Sequence, residues 1–331
     1  MIPSSILSKL ATELGYVQNI VRQRTAQRTA IIQVVETHLF ATEDAYVRAA
    51  LVILAAQMGT YHPESVAHVA AAVELIHAAT RTHDVLVDAA ARRRGFLSDE
   101  PWSHGIPLMV GDYLFALASG EMALSPDRRV IDVYAEAVMQ ISASALAPAS
   151  TLVPFDEARR AHYDHMTDAH ASLFRAACRT GAICGGFGEK HIDDLGRFGA
   201  ALGCAWRLID EVSLFADMAM EAPAAAVRLG MATVTLPMIF AAAQSDSERL
   251  AAALDTTDPA EQTWAINEVR CHGIAPTCHE ILRLTDYAQK ALSDLPQSQA
   301  CDDLLTIAQA IGQSSHPDLI QQRSVHHHDS L

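Results

Sequence analysis

Residues 63–90 form an unbroken amphipathic helical pattern, and Pro63 suits its first turn. A helix of that length must bury its apolar face against others, and the chain supplies them. Helical patterns are expected over 5–24, 27–40, 44–58, 107–122, 126–147, 156–186, 190–219 and 222–245, with shorter ones to about residue 312. Pro237 is expected to kink or interrupt the 222–245 helix. Alanine and leucine are abundant and β-branched alternation is scarce, so the fold class is all-α. Loops are expected at 96–106 and around Pro148 to Pro154.

The chemistry concentrates at the end of the long helix, in Glu74–Gly95 (ELIHAATRTHDVLVDAAARRRG). Asp84 and Asp88 are four residues apart, so both carboxylates leave one helix face. His77 lies two turns earlier on roughly the same side, and Arg92-Arg93-Arg94 precede Gly95, which can end the helix. Two hard oxygen ligands with guanidinium groups close behind suit a divalent ion bridging to phosphate. Spacing alone equally describes a solvated acidic edge followed by a basic helix end.

This stretch resembles the first aspartate-rich region of the trans-isoprenyl diphosphate synthases, which reads close to ELIHxASLIHDDIxDxxxLRRG. The resemblance continues at Met109–Ala118 (MVGDYLFALA), Ala171–Ile183 (ASLFRAACRTGAI) and Gly203–Phe215 (GCAWRLIDEVSLF), and covers roughly residues 40 to 312 in the family's order. It implies a single large helical bundle of the isoprenoid synthase type with a central active-site cavity. It also implies an N-terminal helical segment at 1–30, the synthase-like domain at 31–312 and a flexible tail at 313–331. Asp84, Asp88 and Asp210 match the family's magnesium ligands, and Arg93 and Arg94 its paired diphosphate-binding arginines. His77 matches a histidine of the isopentenyl diphosphate site.

Several polar positions depart from the family pattern. Its second aspartate is Val85, and the last carboxylate of its second motif is Leu214. The G-K-R-x-R-P segment becomes Asp44-Ala45-Tyr46-Val47-Arg48-Ala49, so Arg48 alone remains of its cations. The family's Lys-Thr is Ala169-His170, and the lysine before T-L-P is absent from Gly230–Pro237. Arg207, in place of a glutamine beside Asp210, supplies positive charge that the family draws from elsewhere. Asp217 is a candidate replacement for the lost carboxylate. His162, Asp164, His165, Asp168 and His170 cluster where the family lysine would be, either as a polar helix surface or as a new metal or acceptor site. Losing one charge-assisted phosphate contact costs on the order of 1.5–3 kcal/mol, so the isopentenyl site is eroded more than the allylic one.

Three readings follow. The first is a divergent prenyltransferase that binds an allylic prenyl diphosphate through Mg2+ and transfers the prenyl group, by default to isopentenyl diphosphate. The second is a non-catalytic or regulatory subunit of a heteromeric synthase. The third is a class I terpene cyclase-like enzyme working without isopentenyl diphosphate. The resemblance implies a dimer, either of identical chains or with a homologous active subunit. In the family a bulky residue about five positions before the first aspartate limits chain length; Ala79 and Thr80 stand there, so the resemblance implies a pocket open to longer chains, unless Arg81 and Thr82 intrude. A formal net charge of −15 argues against nucleic acid or an anionic membrane surface as partner. No segment reads as a membrane span or signal peptide, and six cysteines without a C-x-x-C pair favour a cytoplasmic location.

Overall fold

A computed structural model describes residues 2–25, 45–92, 105–147, 151–216, 234–256 and 258–315, with 84–92, 105–107 and 254–255 described by backbone alone. The described residues are helical, and no strand occurs among them. In chain order the helices are α1 (Ser4–Lys9), α2 (Ala11–Thr25), α3 (Val47–Gln57), α4 (Pro63–Arg92), α5 (Gly105–Met122), α6 (Arg129–Ala145) and α7 (Phe155–Met166). A π-turn at Thr167–Ala171 leads into α8 (Ser172–Cys184), followed by α9 (Glu189–Ala216), α10 (Leu236–Ala242), α11 (Ser247–Asp255) and α12 (Pro259–Glu268). A second π-turn at Val269–Gly273 leads into α13 (Ile274–Ala291), and α14 (Gln299–Ser314) ends the series. None of these helices is long and apolar enough to cross a membrane.

The described residues fall into two compact units. The first draws on Met1–Met139, Leu173–Gly199 and Ala291–Ile307. Its centre is α4, which packs most extensively on α5 and also on α2 and α3. Helix α3 is buried along almost its whole length, as expected of a helix apolar all round. Close approach is set by small residues. A Cβ on Gly181 of α8 would stand 2.4 Å from the Val52 carbonyl oxygen of α3. A Cβ on Gly199 of α9 would stand equally close, 2.4 Å, to the Phe174 carbonyl oxygen of α8. The buried Tyr134 hydroxyl is satisfied twice over: it donates to the Val69 carbonyl at 2.9 Å and accepts from Thr180 at 3.1 Å. Glu121, with no exposed surface, takes Arg24 Nε at 2.5 Å and His68 Nδ1 at 2.6 Å, tying α2 and α4 to α5.

The second unit draws on Gln140–Ser172, Ala200–Lys290 and Ala308–Leu331. Its core joins Leu152, Phe215, Met238, Ile239, Leu250, Ile266 and Val269. Helix α10 packs on the second π-turn so closely that a Cβ on Gly273 would meet the Pro237 carbonyl oxygen at 2.1 Å. From that turn Arg270 Nε donates to the Phe215 carbonyl at 2.8 Å, satisfying an orphan acceptor at the end of α9.

Within the described residues the expected helices are present, with four corrections. The 5–24 pattern breaks at Leu10 into α1 and α2. Helix α6 starts at Arg129, past Pro126, where the Asp127 carboxylate accepts from the Arg129 N–H at 2.9 Å. The 156–186 pattern contains the π-turn. Pro237 stands in the first turn of α10 after an extended Thr235, so the expected 222–245 helix is interrupted just ahead of it rather than kinked. Residues 27–40, most of the 96–106 loop, and 217–233, including Asp217, lie outside the described residues.

All six cysteines are free thiols, and Cys178, Cys204, Cys278 and Cys301 are buried. Burial pushes the thiols of Cys184, Cys204 and Cys278 up to about 11, which leaves them unreactive at neutral pH.

Candidate active site

Helix α4 runs without interruption through the first aspartate motif. Asp84 and Asp88 therefore lie one helical turn apart on one face; their side chains, with that of Arg92, are outside the described set, as are Arg93 and Arg94 altogether. Upstream, His77 is half-buried and its carbonyl accepts from the Thr80 hydroxyl at 2.9 Å. Ala79 is buried, whereas Arg81 is exposed and so does not project into the helix packing. Thr82 is buried with its hydroxyl donated to the Ala78 carbonyl at 2.7 Å.

Tyr46 and Arg48, which stand in the eroded phosphate segment, take part in packing at the start of α3. Tyr46 is buried and holds a left-handed backbone (φ 65°) immediately before the helix, a conformation disfavoured for a bulky side chain and paid for by its surroundings. Arg48 is buried, with its guanidinium 4.8 Å from the centre of the Phe174 ring. The Glu74 carboxylate accepts the Ala49 N–H at 2.8 Å. Burial pushes the Glu74 carboxyl up, against the pull of Arg48 and the amide N–H groups at the head of α3.

In the second unit, Asp210 on α9 is exposed, while its neighbour Glu211 is buried. Glu211 accepts from Arg207 Nε at 3.2 Å and from the Leu236 N–H at 2.9 Å. His162 Nε2 of α7 lies 3.3 Å from its second oxygen, near enough for an ion pair but off the line of a good hydrogen bond. Burial alone would push the Glu211 carboxyl up; His162, Arg207 and the Leu236 N–H together hold it below the ordinary value instead. One carboxylate thus ties α7, α9 and the start of α10, and pins Arg207 one turn before Asp210.

The buried contact between His162 and Glu211 is what sequence reasoning missed. They are separated by most of two helices and a π-turn, so no local spacing announces them. The remaining cluster residues are more exposed: His165 and His170 are half-buried and stand edge to face, ring centres 5.9 Å apart. Among the described residues no set of three or more His, Cys, Asp or Glu is arranged to hold a metal ion, the 162–170 cluster included. Leu214 is half-buried against the second unit's core.

Comparison with known proteins fits this architecture. Heptaprenyl diphosphate synthase component 2 of Geobacillus stearothermophilus is 27% identical over 317 residues, covering 94% of this chain and 99% of that protein. A decaprenyl diphosphate synthase from Rhodobacter capsulatus superposes with a TM-score of 0.79 at 26% identity, over 95% of this chain and 99% of that one. A polyprenyl synthase from Caulobacter crescentus CB15, solved with calcium and isoprenyl diphosphate, gives a TM-score of 0.80 at 25% identity, over 93% and 96% of the two chains. The polyprenyl synthetase profile matches residues 29–269, a span that takes in both aspartate motifs and the helices that carry them. With its all-α architecture and its aspartates on α4 and α9, the chain belongs to the polyprenyl synthetase family.

Proposed function

We propose that this chain is an all-trans prenyltransferase that binds an allylic prenyl diphosphate and transfers its prenyl group to isopentenyl diphosphate. The observation that carries this reading is the family match together with three retained aspartates, two of them one turn apart on an unbroken helix. Asp84, Asp88 and Asp210 would hold magnesium. Their carboxylates are the hard oxygen donors that ion prefers, and the exposure of Asp210 beside a buried, internally satisfied Glu211 suits it to a ligand's role. Bound magnesium supplies Lewis-acid neutralisation of the departing diphosphate.

Arg93 and Arg94 would grip the two diphosphates as bidentate donors, with His77 on the isopentenyl side. Arg207, oriented by Glu211, adds positive charge beside Asp210. Arg48 would act on the isopentenyl site from inside the packing rather than as its main grip, given its burial among Glu74 and Phe174. Free thiols throughout fit the reducing cytoplasm.

A second reading, a subunit acting with a homologous partner, is favoured by one set of side chains. Leu108, Met109 and Phe115 of α5, with Leu124, Ile131 and Met139 following through α6, are exposed, Met109 to 66% and Met139 to 64%. An apolar surface of this kind suits burial against a second chain, either a copy of this one or a relative. The protein of G. stearothermophilus that resembles it is itself called component 2.

Diphosphate release by the purified protein with magnesium and farnesyl or geranylgeranyl diphosphate tests these readings, run with and without isopentenyl diphosphate. Release that requires isopentenyl diphosphate and vanishes in Asp84→Ala is the expected result. Release without isopentenyl diphosphate would replace it with cyclisation or another acceptor. No release by this chain alone, restored on adding a homologous subunit, would favour the second reading.

A further inference from the structure

Gly111 of α5 leaves a gap that a side chain of α4 fills. A Cβ on Gly111 would stand 2.1 Å from His83 Nε2 and 2.4 Å from His83 Cδ2, so the imidazole lies where that methyl group would be. The ring edge meets polar neighbours on the same stretch of α5: Nε2 is 3.4 Å from the Leu108 carbonyl oxygen and 3.5 Å from an Asp112 carboxylate oxygen. Both separations are long for hydrogen bonds, and Asp112 is exposed, so shape more than polarity seats the ring. At the other end of the same helix pair, the His68 ring meets Glu121 at 2.6 Å. A histidine thus keys α4 to α5 at each end.

His83 immediately precedes Asp84. Position 84 lies about 100° round α4 from the α5-facing position 83, and position 88 about 140° round in the same sense. The two aspartates therefore share a flank of α4 whose heading is set by where His83 is held. A carboxylate stands about 5 Å from its helix axis, so turning α4 by about 20° carries both by about 1.7 Å. Magnesium demands oxygen donors at about 2.0–2.1 Å in near-ideal geometry. A misplacement of about 1 Å at a reacting centre costs on the order of a hundredfold.

We propose that His83, seated over Gly111, is a positioning residue that fixes the rotation of α4 and so aims Asp84 and Asp88 at a shared metal ion. The inference rests on the reading of those aspartates as magnesium ligands. His83 touches neither metal nor substrate in this role; it acts through the helix. Gly111→Ala separates positioning from folding. The atoms that a new methyl group would strike belong to the outer edge of a half-buried ring, which can swing toward solvent.

The test is calorimetric titration of farnesyl thiodiphosphate, an analogue that resists ionisation, into the whole chain in Mg2+ and separately in EDTA. The wild type is expected to bind more tightly in Mg2+. Gly111→Ala and His83→Ala should each bind about tenfold more weakly than the wild type in Mg2+ and equally well in EDTA, with urea midpoints unchanged. The double variant should be no weaker than either single one, because both empty the same seat. His83→Phe fills the gap without a ring nitrogen and should stay within about twofold of the wild type. Wild-type affinity in both single variants, or losses that multiply in the double variant, would overturn the role. Equal losses in Mg2+ and EDTA would overturn it too, since they mark general damage to the fold. Should Gly111→Ala fold poorly, the contrast between His83→Ala and His83→Phe decides the matter. No gain from Mg2+ in the wild type would remove the metal-ligand reading and this inference with it, whereas a gain untouched by the substitutions removes the inference alone.

Discussion

Replacing Glu211 with glutamine probes the junction of α7, α9 and α10 with almost no change of shape. The carboxylate accepts at 3.2 Å from Arg207 and at 2.9 Å from the Leu236 N–H, with His162 at 3.3 Å. A carboxamide has one acceptor oxygen and one donor NH2, so it must set a donor against either Arg207 or the pair formed by His162 and the Leu236 N–H. One charge-assisted bond is lost and one buried donor is left facing another, together about 3–5 kcal/mol. For a protein of this size that is roughly 4–7 °C in melting temperature, measurable by far-UV circular dichroism. The pH dependence supplies a sharper check. The folded-state value of Glu211 is depressed, so its stabilisation is complete above the ordinary glutamate value of 4.5 and fades as pH falls through the folded value. The deficit of Glu211→Gln should hold constant from neutrality down to about that ordinary value and shrink below it. A deficit under about 1 kcal/mol, or one that grows on acidification, would refute the assignment of Glu211 as a charged, satisfied hub.

Three further outcomes are expected. Met109→Asp with Phe115→Asp should weaken self-association by at least about thirtyfold, read by sedimentation velocity, if that apolar surface is the dimer contact. Gly181→Ala forces a Cβ against the Val52 carbonyl oxygen and should cost about 1–3 kcal/mol in urea unfolding, with the helical spectrum retained. Arg48→Met removes the cation beside Glu74, which should then stay protonated; the expected loss is about 1–3 kcal/mol, and an unchanged urea midpoint would contradict the packing role.

Helix identity and order were legible because α3 to α9 carry long, consistent apolar patterns that tertiary packing only confirms. The one-face placement of Asp84 and Asp88 was legible because it needs nothing but helical spacing. What escaped was whatever depended on a second helix. The role of Glu211 requires His162 and Leu236, far away in the chain, so composition places His162 on a polar surface when it is in fact buried at 3% exposure. The π-turn left no trace because Thr-Asp-Ala-His-Ala is compatible with an ordinary helix. Pro237 could be read only as a kink or an interruption, because which of the two it makes depends on where the preceding segment stops being helical.

The glycine contacts of the first unit bear on how such a chain can change over generations. Where Gly181 meets Val52 and Gly199 meets Phe174, backbone presses on backbone, and no neighbouring side chain can turn aside to admit even a methyl group. Positions such as Ala45, where the family pattern carries a lysine, sit under no such ban. Drift can therefore strip or replace chemistry while leaving the architecture unaltered. A library of random variants sorted only for folding should lose diversity at Gly181 and Gly199 long before it loses any at Asp84, and Asp84 should join them when the same library is sorted for turnover.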